Sequence, residues 1–378
     1  MKNNRVISVG GRAIVCVMLL LISVSTGFAQ SKKLYSGYMG FTPWPYDLTI
    51  EAVEDTYDFI HQNATIISHH FDNGISWDAA LNNTPFPAHL KTDWQGRLDK
   101  TRNMKVFLSL TPINFSRDGL ALNWAEQSDN QPLPEVWRDM AFDDPETVKA
   151  YTNYVLRSVA FFKPDFLAIG VEVNVLISNA PQKWDAYLAL NQSVYKAVKA
   201  RHPDLPVFST VQYEHFRGIE AVSKNNLELQ KPAVTALMKH SDMLVLSTYK
   251  YGFIHPNKIT DTYFDEMLSY KKPMAIAETG AMSKTTFVAG IPLFASENNQ
   301  KAFVSMILSQ AAKHNFVFVV HWLPIDFDAM LSKLPKEYSE IAKAWVHSGL
   351  VDKKMNKKPA YDVWQKHLAG RHNKKAPR

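Results

Sequence analysis

Two glutamates stand where the surrounding sequence is otherwise apolar. Glu172 closes the stretch FLAIGVE (166–172), and Glu278 closes PMAIAE (273–278). A buried parallel strand reads as a nearly continuous apolar run, so a carboxylate there needs a role. Two facing carboxyl groups can cleave a glycosidic bond, because one protonates the departing oxygen while the other attacks the anomeric carbon or activates a water. The pair therefore predicts glycoside hydrolysis, and an ion pair with a lysine is the structural alternative for either residue.

Eight short apolar runs could form the strands that position these carboxylates. Between them lie longer segments with a helical period, among them residues 145–162, 181–202 and 297–315, with Asp144 and Ser296 as predicted N-caps. This alternation predicts a (β/α)8 TIM barrel in a single domain, since a doubly wound open sheet usually has fewer strands and a glycine-rich phosphate turn. The predicted strands cover residues 35–41, 64–70, 105–111, 166–172, 206–212, 243–249, 273–278 and 316–322.

Residues at the C-terminal ends of barrel strands form the active site in this architecture. Glu172 and Glu278, the predicted catalytic residues, end the fourth and seventh strands, and Glu214 after the fifth strand is a rival carboxylate. Three of the tryptophans near strand ends present flat faces that suit sugar rings. The predicted substrate-binding residues are Trp44, His70, Trp77, Asn114, Asn174, Gln212, Tyr249, His321 and Trp322.

The first 29 residues predict a signal peptide. Lys2, Arg5 and Arg12 precede the apolar run AIVCVMLLLISVS, and small residues surround a cleavage position after Ala29. A transmembrane anchor is the alternative, but the apolar run is short for a membrane span. The expected location is therefore secreted or periplasmic, with no membrane association after cleavage. Cys16, the only cysteine, lies in this segment, so no disulfide is expected in the mature chain.

The composition favours one globular domain and argues against nucleic-acid binding. The 378 residues are 46% hydrophobic, which suffices for a single catalytic domain over residues 30–370. The formal charge is +6, of which three cations belong to the first 29 residues. Basic residues cluster near the C-terminus, where residues 371–378 are expected to form a flexible tail. No cofactor and no metal are expected, the predicted partner is an oligosaccharide or polysaccharide, and the sequence does not determine the oligomeric state.

The strand ends resemble those of the clan A glycoside hydrolases, which are retaining (β/α)8 enzymes. Glu172 in IGVEVN matches the acid/base glutamate of the fourth strand, and Glu278 in IAETG matches the nucleophile of the seventh. Tyr249 in LSTY and Trp322 in VVHW match residues that end the sixth and eighth strands. The segment SGLVDKKMNKKPAYDVWQKHLAG also resembles the ending of many members. Within the clan, the glutamate contexts are most similar to the family 53 endo-β-1,4-galactanases, and the resemblance implies cleavage of β-linked glycosidic bonds by double displacement.

One position departs from the clan pattern. Members have an asparagine before the acid/base glutamate, where it contacts the substrate 2-hydroxyl, whereas this chain has Val171, which cannot form a hydrogen bond. Asn174 is the expected substitute, because it lies two residues after Glu172 and residues two apart along a strand share a face. The departure leaves open a non-catalytic carbohydrate-binding barrel. A third interpretation is a metal hydrolase, although no spaced ligand motif supports it; its ligands would come from His69, His70, Asp72, His215 and His321.

Overall fold

The computed structural model describes residues 33–101, 103–219, 227–250 and 262–372. The chain from Lys33 onward forms one compact unit. The predicted signal peptide lies outside the described residues, as does the predicted tail beyond His372, where the last helix ends. No helix in the described part of the chain has the length and apolar character needed to cross a membrane.

Parallel strands form the barrel, and β5 and β6 are two halves of one barrel strand. They are separated by Ser209 alone; β5 pairs with β4 and β6 pairs with β7, so the ring of eight closes. The predicted (β/α)8 barrel is confirmed. The barrel strands are β1 Tyr38–Phe41, β2 Ile66–Phe71, β3 Lys105–Leu110, β4 Phe166–Ala168, β5 Val207–Phe208, β6 Thr210–Gln212, β7 Leu244–Lys250, β8 Met274–Ala281 and β11 Phe318–His321.

Helices surround the barrel, and the three predicted helical segments correspond to α5, α7 and α10. Ser296 caps α10 by accepting a hydrogen bond from the Asn299 amide at 3.2 Å. Asp144 occupies the N-cap position of α5, but its side chain accepts instead from the Ala141 amide. The helices are α1 Ile50–Asn63, α2 Trp77–Leu81, α3 Ala88–Thr101, α4 Glu135–Arg138, α5 Pro145–Phe162, α6 Leu176–Asn179, α7 Trp184–Arg201, α8 Tyr213–Arg217, α9 Leu227–Leu237, α10 Glu297–His314, α11 Asp328–Leu331, α12 Lys336–Ala342 and α13 Pro359–His372.

Side chains alternate between the barrel interior and the layer between strands and helices. Phe107, Phe208 and Phe318 pack against one another inside the barrel. Their strand neighbours belong to the separate cluster that the helices cover. Because successive strand residues point to opposite faces, this alternation decides which residues near a strand end can reach the mouth.

An antiparallel hairpin follows β8, and the sequence analysis did not predict it. Its strands are β9 Lys284–Val288 and β10 Ile291–Ser296, joined at Ala289 and Gly290, both with positive φ. The segment was missed because it lies between a barrel strand and its helix, where the barrel pattern predicts a loop. The hairpin is therefore an insertion at the C-terminal rim of the barrel.

A buried ion pair fastens the segment before α13 to the loop after β11. The Lys358 ammonium donates to both Asp326 carboxylate oxygens, at 2.6 and 2.7 Å, and to the Gly349 carbonyl at 2.8 Å. Burial lowers the pKa of Lys358, and the Asp326 charge opposes that effect. The SGLVD…KPA segment noted in the sequence thus has a structural role, since its lysine supplies the counter-charge for a buried aspartate.

Removing this cation should destabilise the fold. Lys358→Met leaves the buried Asp326 carboxylate without its partner, so the free energy of unfolding should fall by about 3–5 kcal/mol. Lys353→Met is the matched control, because its pair with Asp328 is largely exposed and such pairs contribute about 0–1 kcal/mol. Denaturant unfolding of both variants measures the difference, and equal losses would contradict the assignment.

Candidate active site

A bulge in β8 turns Glu278 toward the barrel mouth. Met274 and Ile276 face the helices, so simple alternation would send Glu278 to the same side. Between Ile276 and Glu278, however, β8 has one residue more than β7, and its register with β11 shifts at the same place. Glu278 consequently pairs with Ser247, and bulges of this kind redirect side chains next to active sites.

Glu172 reaches the same mouth through an unusual backbone conformation. The strand β4 ends at Ala168, and Glu172 follows with φ 49° and ψ 39°, in the left-handed region that residues other than glycine rarely adopt. Its amide donates to the Thr210 hydroxyl at 2.8 Å, which anchors this turn to β6. Backbone strain of this kind is characteristic of functional sites and is held by the surrounding structure.

Tyr249 and His70 frame the Glu278 carboxylate. The hydroxyl of Tyr249, which was predicted to bind substrate, donates to Glu278 Oε2 at 2.9 Å. The other oxygen, Oε1, is buried without a hydrogen-bond partner and lies 3.7 Å from His70 Nδ1. Burial lowers the pKa of His70 to about 4, so its imidazole is neutral at pH 7. One carboxylate oxygen is thus fixed, and the other remains available for chemistry.

A buried arginine that the sequence analysis missed connects the acidic residues. Arg117 donates from Nη1 and Nη2 to the two Asp72 oxygens, at 3.3 and 2.8 Å. Its Nη2 also lies 3.7 Å from Glu172 Oε2. Burial disfavours the charged guanidinium, but Asp72 and Glu172 outweigh this effect and raise the Arg117 pKa. Arg117 lies in the long loop after β3, where the sequence carried no signal for it.

The electrostatics of Glu278 differ from those of an ordinary glutamate. Burial, and after it the Glu172 charge, raise the pKa of its carboxyl to about 8, although the Tyr249 hydrogen bond and the Arg117 charge act to lower it. The two carboxyl groups therefore interact, and a negative charge on one disfavours ionisation of the other.

Two of the predicted aromatic residues remain at the mouth. Trp322 packs its ring against the edge of His70, with centroids 5.0 Å apart. Trp44 is 40% exposed and contacts Phe327 in the loop after β11. Both can offer ring faces to a sugar, and Trp322 follows β11 on the same face as Phe318 and Val320.

Two predicted substrate-binding residues lie elsewhere. Trp77 is fully buried, packs against Trp137 and donates to the Ala121 carbonyl, so it supports the loop after β3 and cannot contact a sugar. His321 faces the helices, where it packs against Trp364 and hydrogen-bonds the Ser348 carbonyl at 2.8 Å. Successive side chains alternate in direction here, so Trp322 points inward and His321 points outward. The predictions that Trp77 and His321 bind substrate are therefore wrong.

Three of the polar residues predicted to bind substrate instead form hydrogen bonds within the protein. Asn174 is fully buried; its amide donates to the Gln212 carbonyl and to Gln230 Oε1, and its oxygen accepts from the Gln212 amide. Gln212 Oε1 in turn caps α8 by accepting from the His215 amide. Asn114 closes a turn with Asp118 through two hydrogen bonds. Asn174 therefore does not replace the missing asparagine before Glu172.

The rival carboxylate, Glu214, anchors Tyr249 from behind. It is completely buried and accepts from the Thr248 hydroxyl at 2.6 Å, the Tyr263 hydroxyl at 2.7 Å and the Tyr249 amide at 3.3 Å. Burial raises its pKa to about 7, against the effect of these donors. With its oxygens occupied by protein donors, Glu214 positions the tyrosine that holds Glu278.

The histidines proposed for a metal site do not converge. His69 faces the helices and bonds Thr101, His215 bonds Ser178, and His321 lies in the helix layer described above. Within residues 33–101, 103–219, 227–250 and 262–372, no group of three or more histidine, cysteine or acidic side chains could hold a metal ion.

The two buried carboxyls should make stability depend on pH. Their folded pKa values, about 7 for Glu214 and about 8 for Glu278, lie above the ordinary 4.5, so the folded state binds protons more tightly than the unfolded state. Their contribution is therefore lost as pH rises through this window, and the melting temperature should fall between about pH 4.5 and pH 8.

Glu278→Gln tests this prediction, because glutamine stays neutral. The melting temperature of the variant should exceed that of the wild type by a margin that grows from pH 5 to pH 8. Calorimetry at several pH values measures the margin, and the exposed Glu51→Gln serves as control. A margin that is constant with pH would show that Glu278 does not bind its proton unusually tightly.

The comparisons with known proteins identify the fold. No protein-family model matches this sequence. No curated protein matches it either. An exo-β-1,4-mannosidase from Opitutaceae bacterium strain TAV5 matches with a TM-score of 0.64 and 14% identity over 90% of this chain, which spans 60% of that chain.

Two further solved structures belong to GH5_18. The Streptomyces cattleya protein in complex with GlcNAc has a TM-score of 0.64 and 14% identity, with 91% of this chain and 82% of that chain covered. A variant from Bifidobacterium longum subsp. longum in complex with Manβ1-4GlcNAc has a TM-score of 0.61 and 15% identity, with 90% and 79% covered. At these identities the likeness establishes the shared (β/α)8 fold.

Proposed function

We propose that this chain is a glycoside hydrolase that cleaves β-linked sugars with retention of anomeric configuration. The observation that carries the proposal is the state of Glu278. Tyr249 holds one carboxylate oxygen, and the other is buried without a hydrogen-bond partner, as a nucleophile requires. The charge of Glu172 acts on Glu278, which supports Glu172 as the second carboxyl group of the pair.

The reaction would proceed in two displacements. Glu278 attacks the anomeric carbon while Glu172 donates its proton to the departing glycosidic oxygen, which leaves as an alcohol. Glu172, now ionised, then removes a proton from a water that attacks the glycosyl–Glu278 ester. The sugar leaves with its original anomeric configuration, Glu278 is released as a carboxylate and Glu172 is protonated again.

The substrate we propose first is a β-1,4-linked mannoside. Support comes from the structural neighbours, of which one is an exo-β-1,4-mannosidase and another is bound to Manβ1-4GlcNAc. The family 53 resemblance of the glutamate contexts makes β-1,4-galactan the second candidate. We also propose export through residues 1–29, which N-terminal sequencing of the protein from its native host would test.

A hydrolysis panel tests the function. Purified protein is incubated with 2,4-dinitrophenyl β-glycosides of mannose, glucose and galactose, with β-1,4-mannobiose, and with β-1,4-galactan. We expect turnover of at least one substrate, and proton NMR of the first product should show the β anomer. An α anomer would contradict the retaining mechanism. Calorimetric binding of these sugars without any cleavage would favour the non-catalytic carbohydrate-binding barrel.

A further inference from the structure

A hydrogen bond to the sugar 2-hydroxyl assists glycoside cleavage of this kind. A hydrogen bond to that hydroxyl strengthens in the transition state and contributes to the rate. Val171, which precedes Glu172, cannot provide it, and Asn174 is occupied by Gln212 and Gln230. A donor to the 2-hydroxyl would therefore have to come from another group near Glu172.

Arg117 has two uncommitted N–H groups, the buried Nε–H and one on Nη2, which is the atom nearest Glu172. A guanidinium carries five N–H donors. Nη1 donates to Asp72 Oδ1 at 3.3 Å and to the Asn114 carbonyl at 2.9 Å, and Nη2 donates once to Asp72 Oδ2 at 2.8 Å. The 3.7 Å from Nη2 to Glu172 Oε2 is too long for a hydrogen bond. The second Nη2 proton is thus available where a substrate hydroxyl would approach the acid/base carboxyl.

The loop around Arg117 holds the guanidinium in this position. The residue is 6% exposed and has φ 53°, within the turn that Asn114 closes. Asn179 donates to the Ser116 carbonyl at 2.8 Å, and Lys183 donates to the Asp118 carbonyl at 2.8 Å. Both clamping residues follow Glu172 in the chain, so the turn and the acid/base residue are fixed to the same segment.

We propose that Arg117 donates a hydrogen bond to the substrate 2-hydroxyl and so performs the role that Val171 cannot. This inference rests on the proposed function. Asp72 orients the guanidinium through its two-point contact, and planar two-point pairing of this kind fixes direction as well as charge. A lysine at position 117 would keep the charge but lose this geometry.

A cycle of two enzymes and two substrates tests the contact. Wild type and Arg117→Lys are assayed for kcat/KM on 2,4-dinitrophenyl β-mannoside, or the epimer that the panel selects, and on the matching 2-deoxy glycoside. We expect Arg117→Lys to lose about 10- to 100-fold on the 2-hydroxy substrate, the range for a hydrogen bond from a charged donor, and to change little on the 2-deoxy substrate.

The controls separate this contact from a general loss of structure. Arg117→Gln, which keeps an N–H donor without the charge, provides a second variant, and thermal unfolding checks that both variants fold. Arg157→Lys is the matched arginine control, since Arg157 also bonds backbone carbonyls, those of Ala79 and Thr84, but none of the acidic residues above. Equal losses on both substrates would overturn the inference while leaving the hydrolase function intact. A wild type that cleaves neither glycoside would overturn the proposed function, and the inference with it.

Discussion

Glu278→Gln should reduce hydrolysis of an activated aryl glycoside on the order of 10⁴- to 10⁶-fold, the scale observed when covalent enzymes lose their nucleophile. The amide cannot form the glycosyl ester, so a good leaving group does not rescue the variant. Its fold should persist, because glutamine can still accept the Tyr249 hydrogen bond at the same place. Single-turnover kinetics with 2,4-dinitrophenyl glycosides measure the loss.

The control for this experiment is the second buried glutamate. Glu214 contacts Thr248, Tyr263 and the Tyr249 amide, so Glu214→Gln should lower activity through the position of Tyr249 and not through loss of a covalent step. Trapping with a 2-fluoro glycoside followed by peptide mass spectrometry should locate the sugar on Glu278. Labelling of Glu214 in place of Glu278 would exclude the assignment of the nucleophile.

Glu172→Gln should show a loss that depends on the leaving group. Loss of a general acid costs about 10²- to 10⁴-fold on a glycoside whose oxygen must be protonated as it leaves. A dinitrophenolate leaves without a proton, so the variant should still form the glycosyl–Glu278 intermediate quickly and then stall, because no base activates the water. We expect the time course to show a burst of released dinitrophenolate followed by slow turnover.

Azide provides the decisive measurement on this variant. A small anion needs no general base, so it should attack the trapped anomeric carbon, release Glu278 and give a β-glycosyl azide. We expect azide to accelerate turnover of Glu172→Gln and to have no such effect on Glu278→Gln. If azide left Glu172→Gln unchanged, the acid/base role would belong to another residue.

The sequence by itself determined the architecture and part of the site. Short apolar runs separated by helical segments specify strands and crossovers, and parallel strands in that order close into a barrel. Strand ends then identify the mouth of the barrel. Their positions predicted that one rim would carry Glu172, Glu278, Tyr249, His70 and Trp322. These predictions depend on local pattern, which the chain expresses directly.

Tertiary structure decided which side chains at that rim can act. The extra residue of β8 reverses the direction of Glu278, and a register shift of this kind exists only in relation to the neighbouring strands. His321 faces the helices because alternation continues to the end of β11, whereas Trp77 is buried by the folded loop after β3. Arg117 is the clearest example of a site residue that the sequence pattern does not reveal. A surface-type residue in a long loop carries no periodic signal, and only the turn's contacts with distant segments bring its charge beside Asp72 and Glu172.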